Sequence, residues 1–271
     1  MVIAELRGGQ LSQLQGRLVR GASWSLLGAV VARGAVLVAS VIIARVVGRE
    51  TFGVFGIVQS TVAAVHVVVG SGLGLTATRH VAAARGKDPV LAGRFAALAL
   101  LAAVALGILL SIILFGISSL VARRVLASAA ITIPLRLGIP GVLFGILVGT
   151  QTGILGGLEA FRSVARANLW GGLCGVAGVL IGVWGWGLNG AIAGSTFSLA
   201  VQCAFSQREL HAELRRHGIV LNARGGIGEW RVLYGYGLPS IIASALASPV
   251  TWAVSALLAR QPRGYYELGA F

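Results

Sequence analysis

Seven long apolar runs separated by short polar segments organise this chain. They lie at roughly 21–47, 51–75, 95–117, 134–157, 169–186, 188–206 and 232–259, and an eighth begins just before Phe271. About 20 apolar residues cross the hydrocarbon core of a bilayer as a helix, so each run predicts a transmembrane helix. The breaks predict the connections. GRE at 48–50 is a tight turn, 76–94 is a polar basic loop, and 118–133 is an interfacial connection. Pro134 suits the first turn of the fourth helix. A short basic loop fills 158–168, and GLNG at 187–190 leaves room only for a tight hairpin. The segment 207–231 is the longest hydrophilic stretch. Before the first run, Leu11, Leu14 and Leu18 recur at helical spacing, as in a short interfacial helix or a loose tail.

Composition supports a polytopic membrane protein. Hydrophobic residues make up 56% of the 271, and only 11% are charged, against about 25% in soluble domains. The 40 glycines are spread through the apolar runs, where small residues let helices approach closely in lipid. The net charge of +14 is explained by topology rather than by nucleic acid. With the N-terminus inside, the inner segments hold fourteen Lys and Arg and the outer turns six. That bias places 1–20 and 207–231 in the cytoplasm. Residues 1–20 are polar and mixed, unlike a cleavable signal, so the first run is expected to be an uncleaved anchor. Cys174 and Cys203 match no metal or redox spacing and read as packing residues; no cofactor or metal site is expected.

An echo suggests a repeat. RETFGVF at 49–55 follows the first run, and YYELGAF at 265–271 follows the seventh. Six helices separate the two copies, the arrangement of parallel-repeat transporters. The expected organisation is therefore a cytoplasmic segment 1–20, a six-helix lobe 21–206, an inter-lobe loop 207–231, and the start of a second lobe at 232–271.

Polar residues inside the runs are the candidate site. Arg33 lies near the middle of the first run, where a charge costs about 2.5–3.5 kcal/mol on insertion scales. All eight acidic residues fall in loops or at helix ends, so Arg33 requires water, backbone carbonyls or an anion. Ser40 lies seven residues on, on nearly the same face. Gln59 and His66, also seven apart, share a face of the second run, either lining a cavity or bonding between helices. His66 is also a candidate proton carrier. Arg136, near the start of the fourth run, points into a cavity or snorkels to the surface. Ser244, Ser248, Thr251 and Ser255 form a weakly polar face on the seventh run, which Pro239 and Pro249 interrupt. Arg79, His80 and Arg85 make the inner loop basic.

Several of these stretches carry a family resemblance. Ser23-Trp24-Ser25 followed by IARVVGRETFGVFG (43–56) resembles the first hairpin of Wzx-type polysaccharide flippases, the O-antigen and exopolysaccharide translocases of the MOP superfamily. GILGGLEAFRSVARANL (153–169) looks like their helix 4 to helix 5 connection, GLNGAIAG (187–194) their next turn, and YGLPS (236–240) the start of their seventh helix. The resemblance implies an all-α integral membrane fold of MATE/MOP type, of which this chain holds the first six-helix lobe, the seventh helix and the start of an eighth, as a fragment would. It also implies a function, the movement of undecaprenyl-pyrophosphate-linked oligosaccharide from the inner to the outer leaflet of the cell inner membrane. Arg33 would then hold the anionic pyrophosphate headgroup as a bidentate fork. The implied partners are that lipid-linked oligosaccharide, membrane lipids and a glycan polymerase, with no nucleic acid. Two alternatives stay open. A cation-coupled drug exporter on the same fold would favour intramembrane carboxylates, which the runs lack. A membrane enzyme of glycan assembly would need a catalytic set, and no nucleophile–base or metal-ligand spacing is present.

Overall fold

This computed structural model describes residues 40–126 and 128–222, with isolated positions at 30, 34, 37, 235, 237, 239–242 and 257. Among the described residues every regular element is helical. Residues 40–47 form the described part of α1. The chain turns at Gly48, whose φ of +81° is a conformation that glycine adopts without steric cost. Helix α2 spans Arg49–Ala84 and α3 Pro89–Leu120, ending in a π-helical turn, Val121–Val125. A short 3-10 turn leads into α4, Thr132–Gly138, and α5, Pro140–Gly157. The break between them coincides with Pro140, which has no N–H to continue the ladder. Helix α6 runs Phe161–Arg216 but folds back at Trp186 and Gly187, where the backbone is not helical. It therefore consists of two antiparallel arms.

Among the described residues, four stretches are long and apolar enough to cross a membrane: Arg49–Ala84, Pro89–Arg124, Thr132–Gly157 and Phe161–Arg216. The last supplies two crossings because of its fold-back. Large apolar side chains face outward along them, including Ile108, Ile112 (65% exposed) and Phe115 on α3. Trp184 and Trp186 stand exposed beside the fold-back, as interfacial tryptophans do.

The helices are longer than the apolar runs. At about 1.5 Å per residue, the 36 residues of α2 extend about 54 Å, well beyond a bilayer core of about 30 Å. The loop expected at 76–94 shrinks to 85–88. Asp88 caps α3, accepting from the N–H groups of Val90 and Leu91 at 3.0 Å each, and Pro89 takes the first turn. The loop expected at 158–168 gives way to α6 from Phe161, and α6 continues to Arg216, inside the stretch read as the 207–231 loop. These corrections share one cause. The extensions bury a second core in which alanines pack against larger side chains: Ala77, Val81 and Ala84 from α2, Ala92 and Ala96 from α3, Ile154 and Leu155 from α5, and Leu210 and Leu214 from α6. Alanine is a strong helix former but contributes little to a hydropathy run, so polar neighbours hid these turns.

That end of the bundle, called the basic end below, is also tied by ion pairs. Arg85 contacts Glu159, and Arg166 Nη2 lies 2.7 Å from Glu209 Oε2. Glu213, 9% exposed, accepts from Ser163 Oγ at 2.9 Å and from Arg216 Nη1 at 3.0 Å. Both arms of α6 are thereby joined at their base.

Glycine sets two close helix contacts. On α2 and α5, His66 lies against Gly145, Gly70 against Gly149, Gly74 against Gly153 and Thr78 against Gly157. Both partners advance by four residues per step, so the two helices run parallel. Between the arms of α6, Gly182 faces Gly190, Gly178 faces Gly194, Gly175 faces Ser198 and Gly171 faces Gln202. A Cβ at Gly149 would come within 2.9 Å of the Gly70 backbone, so these positions have no room for a side chain. Ile241, beyond the described arms, packs against Gly72.

Candidate functional site

One face of α2 repeats at intervals of three and four residues: Phe52, Phe55, Gln59, Val62 and His66. That face and α1 form one side of a cavity of about 500 Å³, and the two arms of α6 form the other. The first arm presents Asn168, Gly171, Gly172, Gly175 and Val179, and the second Ser195, Ser198 and Gln202. The three glycines leave the first arm bare over more than a turn, which opens the space.

Ser40, Gln59 and His66, singled out by their helical spacing, all line this cavity. Among the described residues, neither Gln59 nor His66 has a hydrogen-bond partner, so their polar atoms are available to an occupant. The His66 ring fits where it does because Gly145 has no side chain; a Cβ there would overlap the imidazole.

Asn168, Ser198 and Gln202 also line the cavity, and the sequence reading had not singled them out. Gln202 Nε2 donates to Asn168 Oδ1 at 2.9 Å, and Ser198 Oγ donates to the Gly171 carbonyl at 3.0 Å. The signal was present in the chain: Ser195, Ser198 and Gln202 follow one another at spacings of three and four within an apolar run. No Lys, Arg, Asp or Glu lines the cavity among the described residues. This wall offers neutral hydrogen-bonding groups.

Arg136 is placed elsewhere. Its Nε donates to Ser118 Oγ at 3.0 Å and its Nη2 to Ser119 Oγ at 3.3 Å, while its guanidinium lies 4.9 Å from the centre of the Phe115 ring. It anchors α4 to the end of α3 and does not line the cavity. Arg33, the Ser244, Ser248, Thr251 and Ser255 face of the seventh run and YYELGAF at 265–271 lie outside the described residues.

A second polar group sits in the seam between α5 and α6. Gln151, 1% exposed, donates through Nε2 to Gln207 Oε1 at 2.7 Å and approaches Cys203 Sγ at 3.6 Å. Among the described residues its Oε1 has no partner.

A family model described as polysaccharide biosynthesis protein matches residues 18–271. Solved transporters share the fold. An outward-facing multidrug resistance MATE family transporter of the MOP superfamily superposes with a TM-score of 0.71 at 21% identity, over 84% of this chain and 52% of that one. A MOP superfamily transporter from Pyrococcus furiosus, described as having a binding pocket of reverse polarity, gives 0.73 at 17% identity, over 90% and 63%. A MATE structure in complex with Br-NRF gives 0.70 at 21% identity, over 87% and 55%. The chain thus spans between half and two thirds of the length of these transporters. No curated protein matches it.

Proposed function

Because this chain belongs to the polysaccharide biosynthesis protein family, we propose that it forms part of a transporter that flips undecaprenyl-pyrophosphate-linked oligosaccharide from the inner to the outer leaflet of the cell inner membrane. It is a multi-pass membrane protein of MATE/MOP transporter fold. The observation that carries the proposal is the cavity between α1, α2 and the arms of α6, which offers neutral polar groups and no carboxylate among the described residues. Arg33 supplies the cation for the pyrophosphate, since a guanidinium matches phosphate oxygens as a fork. The chain carries out no covalent chemistry in this reading.

A cation-coupled drug exporter of the same fold is the competing reading. Cationic cargo and coupling ions favour buried carboxylates, and the described wall offers none. The deciding experiment expresses the full-length protein in a strain that lacks its own flippase. Restored surface glycan, with no efflux of cationic dyes from membrane vesicles, supports the proposal. Dye efflux without glycan export supports the exporter instead.

A further inference from the structure

Within the transporter reading, on which this step rests, we infer that Gln59, His66, Asn168 and Gln202 form a subsite for the neutral sugar part of the cargo, distinct from the group that holds its pyrophosphate. Three features of the cavity point there. First, its described lining is uncharged. A diphosphate pressed against these four residues would lose its hydration without gaining a countercharge from them, and a buried unpaired charge is strongly disfavoured. Second, the polar groups offer donors and acceptors on facing walls. Gln59 and His66 are unpartnered among the described residues, and the Gln202–Asn168 pair uses only one donor and one acceptor of its two amides. Sugar hydroxyls both donate and accept, so they match such a mixed set. Third, aromatic surface lies beside the polar groups. Phe52 and Phe55 both line the cavity, with their rings 6.3 Å apart and inclined by 23°. The C–H faces of a pyranose ring pack on such surface while its hydroxyls reach the amides.

The size agrees. About 500 Å³ falls within the ~300–1,000 Å³ of small-molecule sites, which suits a few sugar rings rather than a polyprenyl tail. The subsite would therefore set which glycan is carried, because buried polar groups left unpaired by the wrong sugar penalise it.

The test uses the full-length protein in nanodiscs and two probes: undecaprenyl pyrophosphate without sugar, and the lipid-linked oligosaccharide that accumulates in the source organism when the gene is deleted. The wild-type protein should bind the glycosylated lipid at least tenfold more tightly. Gln59→Leu and His66→Phe keep side-chain volume and remove the polar atoms. Each should reduce that preference by about two- to tenfold, the size of one hydrogen bond, and the double variant should nearly abolish it. Equal weakening of both lipids would assign these residues to the pyrophosphate, and an unchanged preference would remove them from the site; either result overturns the inference. If no lipid-linked oligosaccharide accumulates on deletion, the transporter reading itself fails, which is a separate outcome.

Discussion

The Thr78 hydroxyl reaches across from α2 to the Gly153 carbonyl of α5 at 2.7 Å, while staying 2.9 Å from the Gly74 carbonyl one turn back on its own helix. One proton serves both acceptors, and the contact joins two parallel helices whose glycines already touch. Thr78→Val should therefore cost about 0.6 kcal/mol, and at most about 1.7, the range of interhelical hydrogen bonds in membranes. Thr78→Ser should retain most of it. Unfolding in mixed SDS micelles measures the difference.

Glycine substitutions should divide sharply by position. A Cβ at Gly153 would run into the Gly74 backbone, which cannot yield as a side chain can. Gly153→Ala should destabilise by about 1–3 kcal/mol. At Gly116 on α3 nothing lies within 4 Å of the added atom. Gly116→Ala should be neutral or stabilising by up to about 1 kcal/mol, from helix propensity alone. Thermal denaturation in detergent separates the two variants.

Arg136 should behave as an anchor. Arg136→Ala removes two serine contacts and the stack on Phe115, and should cost about 1–3 kcal/mol. Arg136→Lys should recover only part of this, because an ammonium lacks the planar fork. Export per folded molecule should stay near wild type for both, since the side chain lies outside the cavity. A fall in export beyond the fall in folded protein would instead place Arg136 on the transport path.

The basic end should face the cytoplasm. It carries Arg79, Arg85, Lys87, Arg162, Arg166, Arg208, Arg215 and Arg216 within a few turns, and cytoplasmic flanks are enriched in such residues. A reporter fused after Arg216, at the end of α6, should be active only if it is a type that works inside the cell. Activity of a periplasmic reporter there would invert the orientation.

Arg33 should be essential to export but not to insertion. In the full-length protein, Arg33→Ala should leave expression largely intact and abolish surface glycan in a flippase-null strain. Arg33→Lys should be partly active, and Arg33→Glu worse than alanine because it repels the pyrophosphate. Normal export by Arg33→Glu would remove the residue from substrate binding, and loss of the protein itself in Arg33→Ala would mark a structural role.

Periodicity carried the sequence reading furthest where one helix face decides the matter. Gln59 and His66 were paired by a seven-residue spacing, and the structure places both on the cavity with Ser40. Helix ends were read less well, because apolar runs mark the bilayer and not the backbone ladder. The Asp88-Pro89 pair, an N-cap followed by a first-turn proline, marks the start of α3 inside a stretch whose polar residues predict a loop. The second core escaped because its alanines are weakly apolar and gain their meaning only when four helices meet. The glycines of α2, α5 and α6 were visible as small residues suited to close packing. Which glycine meets which depends on partners distant in the chain, and no local pattern encodes that.

The glycine contacts also decide how these helices can deform. Helices α2 and α5 touch backbone to backbone at Gly70–Gly149 and Gly74–Gly153, and the arms of α6 at Gly178–Gly194 and Gly182–Gly190, so at those points each pair is a closely packed leaf with no side chain between its members. The leaves meet along the seam of α5 and α6, where Gln151 reaches Gln207 through flexible amides. The cavity lies where the two leaves part. A small rotation there widens or narrows the space between Gln59 and Gln202 like the opening of a book, and neither cover needs to bend.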